Sequence, residues 1–362
     1  MKNLQNQNKI LYLSDIAAVD LFCGVGGLTH GLQKGGINVT AGYDFDESCR
    51  YAFEANNDGA KFLAADVSTL SSADIERHWG DAKIRVLVGC APCQPFSKHT
   101  QKLGDKRKDS RWRLLESFAR QIEELQPDIV SMENVVELSK EAVFDQFLQT
   151  LRDNGYHVDP RMTVFGPDYG LPQSRKRLVL LASKLGPISL IPPTHTPSQY
   201  HTVRKAIGDL APLEAGEKDE KDPLHRAQKL IDINLKRMRQ STPGRTWRDW
   251  DEDLVLECHK KKNGKTYGGV YGRMQWDKPS PTMTTQFYLY GTGRFGHPEQ
   301  DRAMTLREGA ILQTFPQDYQ FVGSEKDITF VKIGRHIGNA VPPKLGEVIG
   351  QSIIKHLKEV RV

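Results

Sequence analysis

Ala17-Ala18-Val19-Asp20-Leu21-Phe22-Cys23-Gly24-Val25-Gly26-Gly27 is an apolar run that turns through three glycines into a segment of helical spacing, Leu28 to Lys34. The run reads as a buried strand, and the glycines let the backbone adopt positive φ and come close to a ligand. The same alternation repeats outward from it. Residues 38–43, 61–65, 84–89, 128–132 and 178–182 read as strands, and residues 47–56, 71–79, 111–125 and 142–154 have helical spacing. Strands alternating with helices specify a doubly wound, mostly parallel α/β sheet. The order fails at Gly186, where Pro187, Pro192, Pro193 and Pro197 punctuate a linker. From there to about residue 330 short helices mix with Gly- and Thr-rich β-like runs, which predicts a second, smaller mixed domain. Ile337 to Pro343, followed by the apolar Leu345 to Leu357, reads as a strand end and a helix returning to the first domain. The expected organisation is therefore 1–188, 189–330 and a returning segment 331–362, with no internal repeat.

The glycine turn does not complete the nicotinamide fingerprint, because Thr29 stands where G-x-G-x-x-G needs its third glycine. Asp44 ends the next strand about 20 residues on, where an acid can accept the hydroxyls of a ribose, and Asp66 follows the third strand.

A second feature is Gly89-Cys90-Ala91-Pro92-Cys93-Gln94-Pro95-Phe96-Ser97, directly after the apolar Val86-Leu87-Val88. Loops at the carboxyl ends of parallel strands carry active-site groups, so Cys93 is a candidate nucleophile and Cys90 a buried, inert neighbour. Cys90 and Cys93 form a CxxC, but the chain has five cysteines and no further CxxC or HxxxH to complete a tetrahedral set, so no metal site is expected. Pro127-Asp128-Ile129-Val130-Ser131-Met132-Glu133-Asn134-Val135 is another apolar run ending in a polar pair. If the two runs are neighbouring parallel strands, Cys93 and Glu133 leave the sheet at one edge as a thiol and an acid facing one substrate.

In this order the motifs closely resemble those of the DNA (cytosine-5)-methyltransferases, over nearly the whole chain. Phe22-Cys23-Gly24-Val25-Gly26-Gly27 looks like the family's cofactor loop, Pro92-Cys93-Gln94 its nucleophile motif and Glu133-Asn134-Val135 its acid motif. Gln173-Ser174-Arg175-Lys176-Arg177 looks like its QxRxR motif. Arg307-Glu308 with Gln313-Thr314-Phe315-Pro316 resembles the element supporting the recognition region, and Gly338-Asn339-Ala340-Val341-Pro342-Pro343 the last cofactor motif.

The resemblance implies an S-adenosylmethionine pocket formed by Phe22, Gly24, Gly26, Gly27, Asp44, Asp66, Leu114, Asn339 and Val341. Many members use glutamate for the ribose, where Asp44 is one methylene shorter. It also implies Cys93 as the nucleophile at C6 of cytosine, Glu133 as the acid at N3, and Arg175 and Arg177 holding the base or its phosphate. The base that removes the C5 proton is not identified. A cytosine inside a duplex hides C6, so this chemistry requires base flipping. Substrate contacts are expected from Gln94, Ser97, Asn134, Gln173, Thr284 and Arg294.

The basic run Lys102 to Lys108 is either a solvated loop or a phosphate contact. Between Lys236 and Arg273 ten basic residues interleave with Trp247, Trp250, Tyr267 and Tyr271, and Asp249, Asp251, Glu252, Asp253 and Glu257 interrupt them. Basic groups there would position phosphates and a subset would read bases, while the interruptions point to surface ion pairs. The expectation is a monomeric bacterial modification enzyme paired with a cognate restriction endonuclease and acting on duplex DNA. A tRNA cytosine methyltransferase and a non-catalytic DNA-binding regulator of the same fold are the alternatives.

Length and charge agree with this without deciding it. The 362 residues suffice for two domains, and 50 Lys and Arg against 45 Asp and Glu give a net charge of +5. No apolar segment approaches the ~20 residues that span a bilayer, and 1–9 has no signal-peptide core, so a cytoplasmic chain with reduced thiols is expected.

Overall fold

The computed structural model describes residues 15–92, 108–159, 163–266 and 268–360. Cys93, Gln94, Ser97 and Tyr267, and the basic run as far as Arg107, lie outside the described residues.

The strands are β1 (Ile16–Leu21), β2 (Val39–Asp44), β3 (Lys61–Ala64), β4 (Ile84–Gly89), β5 (Ile129–Asn134), β6 (His157–Val158), β7 (Thr163–Phe165) and β8 (Lys176–Ser183). They form one sheet in the order β3-β2-β1-β4-β5-β8-β6, with β7 also on β8. β1 to β5 are mutually parallel, and β8 runs antiparallel to β5. The expected mixed but mostly parallel sheet is therefore present. All six residues of β1 and of β5 are buried, as they must be when both faces of a parallel sheet are covered, which is why apolar residues dominate them, with Asp20, Ser131, Glu133 and Asn134 as the polar exceptions.

Alternation sorts the side chains between the faces. Val19, Leu21, Leu87, Val130, Met132, Leu178 and Leu180 join one core with Ile75, Leu115, Phe118, Ile122, Phe144 and Phe147. Those last residues come from α3 (Ser72–Glu76), α4 (Lys108–Leu125) and α5 (Ala142–Asp153), which follow α1 (Gly27–Lys34) and α2 (Arg50–Asn56) in the chain. Asp20 bonds to Thr29 of α1 from the other face, and Ser183 Oγ lies 2.8 Å from His356 Nε2.

The remaining helices are α6 (Val203–Ile207), α7 (Asp232–Gln240), α8 (Glu257–Lys260), α9 (Leu306–Leu312), α10 (Phe330–Asn339) and α11 (Pro343–Glu359). The chain divides into two compact units. The first is Met1–Val164, Lys176–Pro192 and Leu345–Val362, and the second is Phe165–Arg175 and Pro193–Lys344.

Two expectations about local structure are corrected. The β-like runs between 190 and 330 form only isolated bridges among the described residues, such as Arg273 with Gly296, because each run is too short and too glycine-rich to sustain a ladder. The strand end expected at Ile337 is instead the last turns of α10. Ile333, Gly334, Ile337 and Gly338 are buried at helical spacing, and the Thr329 hydroxyl caps the first turn by accepting from Lys332 N.

Candidate active site

The strand order reverses between β1 and β4, and at such a point the loops leaving the carboxyl ends diverge to open a crevice. Leu21 and Gly89 pair across that point, and the next amide, Cys90 N, donates to Leu21 O at 3.3 Å. A Cβ on Gly89 would lie 2.8 Å from Leu21 O, so only glycine lets the two loops start this close together. From the other side Asn134 Nδ2 donates to Ala91 O at 3.0 Å, while Asn134 Oδ1 accepts from Val135 N at 2.9 Å. The loop leading to Cys93 is thus tied on one side to the glycine turn and on the other to the acid strand.

Val86, Leu87, Val88 and Gly89 pair in parallel with Ile129, Val130, Ser131 and Met132. The two candidate strands are therefore neighbours, and the position after Gly89 falls beside Glu133. Glu133 is 2% exposed. Cys90 Sγ donates to its Oε2 at 3.0 Å, and Arg177 Nε lies 3.0 Å from its Oε1. Because β8 is antiparallel to β5, its first residues return to the edge where β5 ends, which brings Arg177 to Glu133. A carboxylate this deep needs compensating partners. The cation supplies charge, yet among the described residues Oε1 accepts no aligned hydrogen bond. Cys90, expected to be buried, is half-buried, and its thiol is bonded to the acid.

The QxRxR segment is divided. Arg177 belongs to β8 in the first unit, while Arg175 ends a segment of the second unit, 4% exposed, with Nη2 3.5 Å from Ala340 O. Gln173 is fully buried. It donates to Leu312 O at 3.1 Å and Gln313 Oε1 at 2.7 Å and accepts from Met283 N at 2.9 Å. Where the sequence predicts a substrate contact, the structure shows a brace.

The glycine turn holds three residues in the left-handed region: Phe22 at φ 63°, Gly24 at 50° and Gly26 at 85°. For Phe22, whose half-buried ring packs on the core, this costs about 1–2 kcal/mol, a strain that marks the turn as a site candidate. A Cβ on Gly24 would meet nothing within 4 Å among the described residues, so that backbone borders open space among them. Its amide donates to Asp44 Oδ2 at 2.9 Å, and Asp44 Oδ1 accepts from Asp46 N at 2.9 Å. Burial pushes the Asp44 carboxyl above its usual range. Asp66 is exposed, and its Oδ1 accepts from Ser68 N at 2.8 Å, which holds that carboxyl low. Gly27 opens α1 and Leu114 is half-buried on α4. Asn339, exposed, and Val341, buried, flank the end of α10 in the second unit.

Sequence reasoning missed two residues here. Phe45, 73% exposed, follows Asp44 at the strand end; its signal was a large aromatic beside the acid. Asp20 is fully buried inside β1, and burial raises its pKa to about 7; its signal was one carboxylate in an apolar run.

In the second unit, most of the basic set is engaged. Arg239 pairs with Asp301, Arg245 with Asp249 and Lys260 with Glu257, and Arg237 donates to Leu254 O. Arg273 is 5% exposed and donates to Met238 O, His297 O and Gln300 O. Trp247, Trp250 and Tyr290 form a small core with Met238 and Leu254, around a Ser241 hydroxyl that accepts from Trp250 Nε1 at 2.9 Å. Arg302 and Glu308, both buried, make a two-pronged ion pair of 2.8 and 2.7 Å, which pulls the acid down to about 2 against its burial. Thr284 and Arg294 are exposed.

Comparisons with known proteins show the family. A family model described as C-5 cytosine-specific DNA methylase matches residues 16–355. The chain is 52% identical to the Type II methylase M.HgiDII of Herpetosiphon aurantiacus, over 94% of this chain and 96% of that protein. It is 31% identical to the Type II methyltransferase M1.HphI of Haemophilus parahaemolyticus, over 96% and 88%. In fold it is similar to a prophage-encoded DNA modification methyltransferase of E. coli, with a TM-score of 0.70 at 23% identity, covering 95% of this chain and 99% of the other. The chain belongs to the C-5 cytosine-specific DNA methylases, enzymes that methylate cytosine in DNA at C5.

Proposed function

We propose that this enzyme methylates one cytosine within a specific duplex sequence, turned out of the helix and held covalently by Cys93. The observation that carries the proposal is the buried Glu133, between Cys90 and Arg177, beside the tethered start of the Cys93 loop.

C5 of cytosine is a poor nucleophile. Addition of the Cys93 thiolate to C6 moves the C5–C6 π electrons into the ring, and a proton passing from Glu133 to N3 leaves an enamine whose nucleophilic carbon is C5. Arg177 and Cys90 then face the carboxylate that remains. S-adenosylmethionine supplies an electrophilic methyl group. Once C5 carries it, loss of the C5 proton and of the C6–S bond restores the aromatic ring, and N3 returns its proton to Glu133.

The residues of the first unit fit that cofactor. The left-handed glycine turn borders open space, Asp44 sits where ribose hydroxyls would bind, and the exposed Phe45 ring offers an adenine a stacking face. Asp66 is suited to accept from the adenine amino group. Flipping costs a few kcal/mol, offset by contacts to the extruded base and the gap it leaves, for which Gln94, Ser97 and Arg175 are suited. Asn134 acts by holding the nucleophile loop. The second unit serves target recognition, with Thr284 and Arg294 among the exposed candidates. The names of the relatives support a Type II modification role, and a monomeric cytoplasmic enzyme with a cognate endonuclease is part of the proposed reading.

The test is transfer of tritiated methyl from S-adenosylmethionine to duplex DNA and to tRNA in parallel, followed by bisulfite sequencing. Label confined to cytosines at one DNA site is expected. Label on tRNA alone would overturn the substrate, and label on neither would overturn the activity.

A further inference from the structure

We propose that Cys90, outside the nucleophile's role, is a positioning residue that holds the Glu133 carboxyl in one orientation and steadies it as its proton leaves; this rests on Glu133 acting as the acid at N3. Gly89 and Met132 are the last register pair of β4 and β5, so Cys90 and Glu133 stand one step beyond it on neighbouring strands. The Cys90 backbone is pinned by its amide to Leu21 O, and the next residue by Asn134 to Ala91 O, so the Cα–Cβ bond of Cys90 starts from a fixed point beside Glu133.

From that position Sγ–H donates to Oε2 at 3.0 Å. Arg177 Nε stands 3.0 Å from the other oxygen, Oε1, so each oxygen of the carboxyl faces its own donor group. The carboxyl that carries the acidic proton is thereby held in one orientation. When that proton passes to N3, the S–H bond becomes charge-assisted and steadies the carboxylate, together with Arg177 at 3.0 Å. The thiol therefore favours the transition state more than the ground state.

The test uses the full chain and unmethylated plasmid DNA. In single-turnover methyl transfer, Cys90→Ala is expected to slow the step about tenfold, the range for one weak donor to a charged group, with DNA and S-adenosylmethionine affinities unchanged. Cys90→Ser, which keeps a donor, is expected to recover most of that loss. A wild-type rate in the alanine variant, or a serine variant as slow as alanine, would overturn the proposal, the second result indicating packing alone.

The contact is read separately and without turnover. Iodoacetamide labelling of Cys90, followed by peptide mass spectrometry, should be several-fold faster in Glu133→Ala, because the acceptor that holds the thiol hydrogen is gone. Equal labelling rates in a folded variant would also overturn the proposal. Faster labelling without any methyl transfer by the wild type would instead overturn the proposed function and leave the pairing supported.

Discussion

Asp20→Asn is expected to stabilise the protein at alkaline pH and to lose that advantage as the pH falls. Asp20 is completely buried in β1. Thr29 Oγ1 donates to its Oδ2 at 2.7 Å, and Oδ1 accepts no hydrogen bond among the described residues. Burial is the main reason that its pKa rises from 3.8 to about 7, with the nearby Asp44 adding to it and the Thr29 bond opposing it. The sign follows from linkage: a carboxyl whose folded pKa lies above its unfolded value binds its proton more tightly when folded. Its stabilising contribution is complete below the unfolded pKa and is lost as the pH rises through about 7. A rise of roughly three units, at about 1.4 kcal/mol each, makes the full loss about 4 kcal/mol. Asparagine resembles the protonated acid and keeps an acceptor for Thr29, so it avoids most of that loss. Urea midpoints of variant and wild type, followed by circular dichroism between about pH 4.5 and 8, should diverge by about 1.4 kcal/mol per pH unit and level off above pH 7. A difference constant across that range, or a variant less stable than wild type at pH 8, would refute the assignment of a buried, proton-binding Asp20.

Three further outcomes are expected. Asp44→Ala should weaken S-adenosylmethionine binding by about 1–3 kcal/mol, the cost of losing a buried polar partner, as read by isothermal titration; unchanged affinity in a folded variant removes Asp44 from the pocket. Duplex DNA carrying 5-fluorocytosine at the target should trap a covalent complex on a denaturing gel, because fluorine cannot leave as the C5 proton does; Cys93→Ser should abolish the shifted band, and a band that persists would refute the nucleophile. Arg302→Met should destabilise the chain by about 3–5 kcal/mol, since it leaves Glu308 charged and buried, and urea unfolding showing a loss under about 1 kcal/mol would contradict this.

The sequence by itself determined the sheet and the order of its chemistry. β1, β4 and β5 are legible because a parallel strand covered on both faces must be largely apolar, and the glycine turn because only glycine is at ease with such dihedrals. Strand ends were less legible. β5 runs on to Asn134, past the apolar residues, because Glu133 and Asn134 pair with Val179 and Leu178 of β8, a partner some 45 residues away in the chain that local periodicity cannot show. The end of α10 was misread for a related reason: Ile337 and Val341 look alternating in isolation, but Ile333 and Ile337 face one core.

Only the tertiary structure decided how the candidate residues are used. It turned Cys90 from a bystander into a partner of Glu133, brought Arg177 to the same carboxylate through an antiparallel strand, and made Gln173, Trp247 and Arg273 internal supports. Residue type states what a side chain can donate, accept or bury. Whether it does so toward a ligand or toward the protein depends on contacts between residues far apart in the chain, and those exist only once the sheet has brought its strand ends to a common edge.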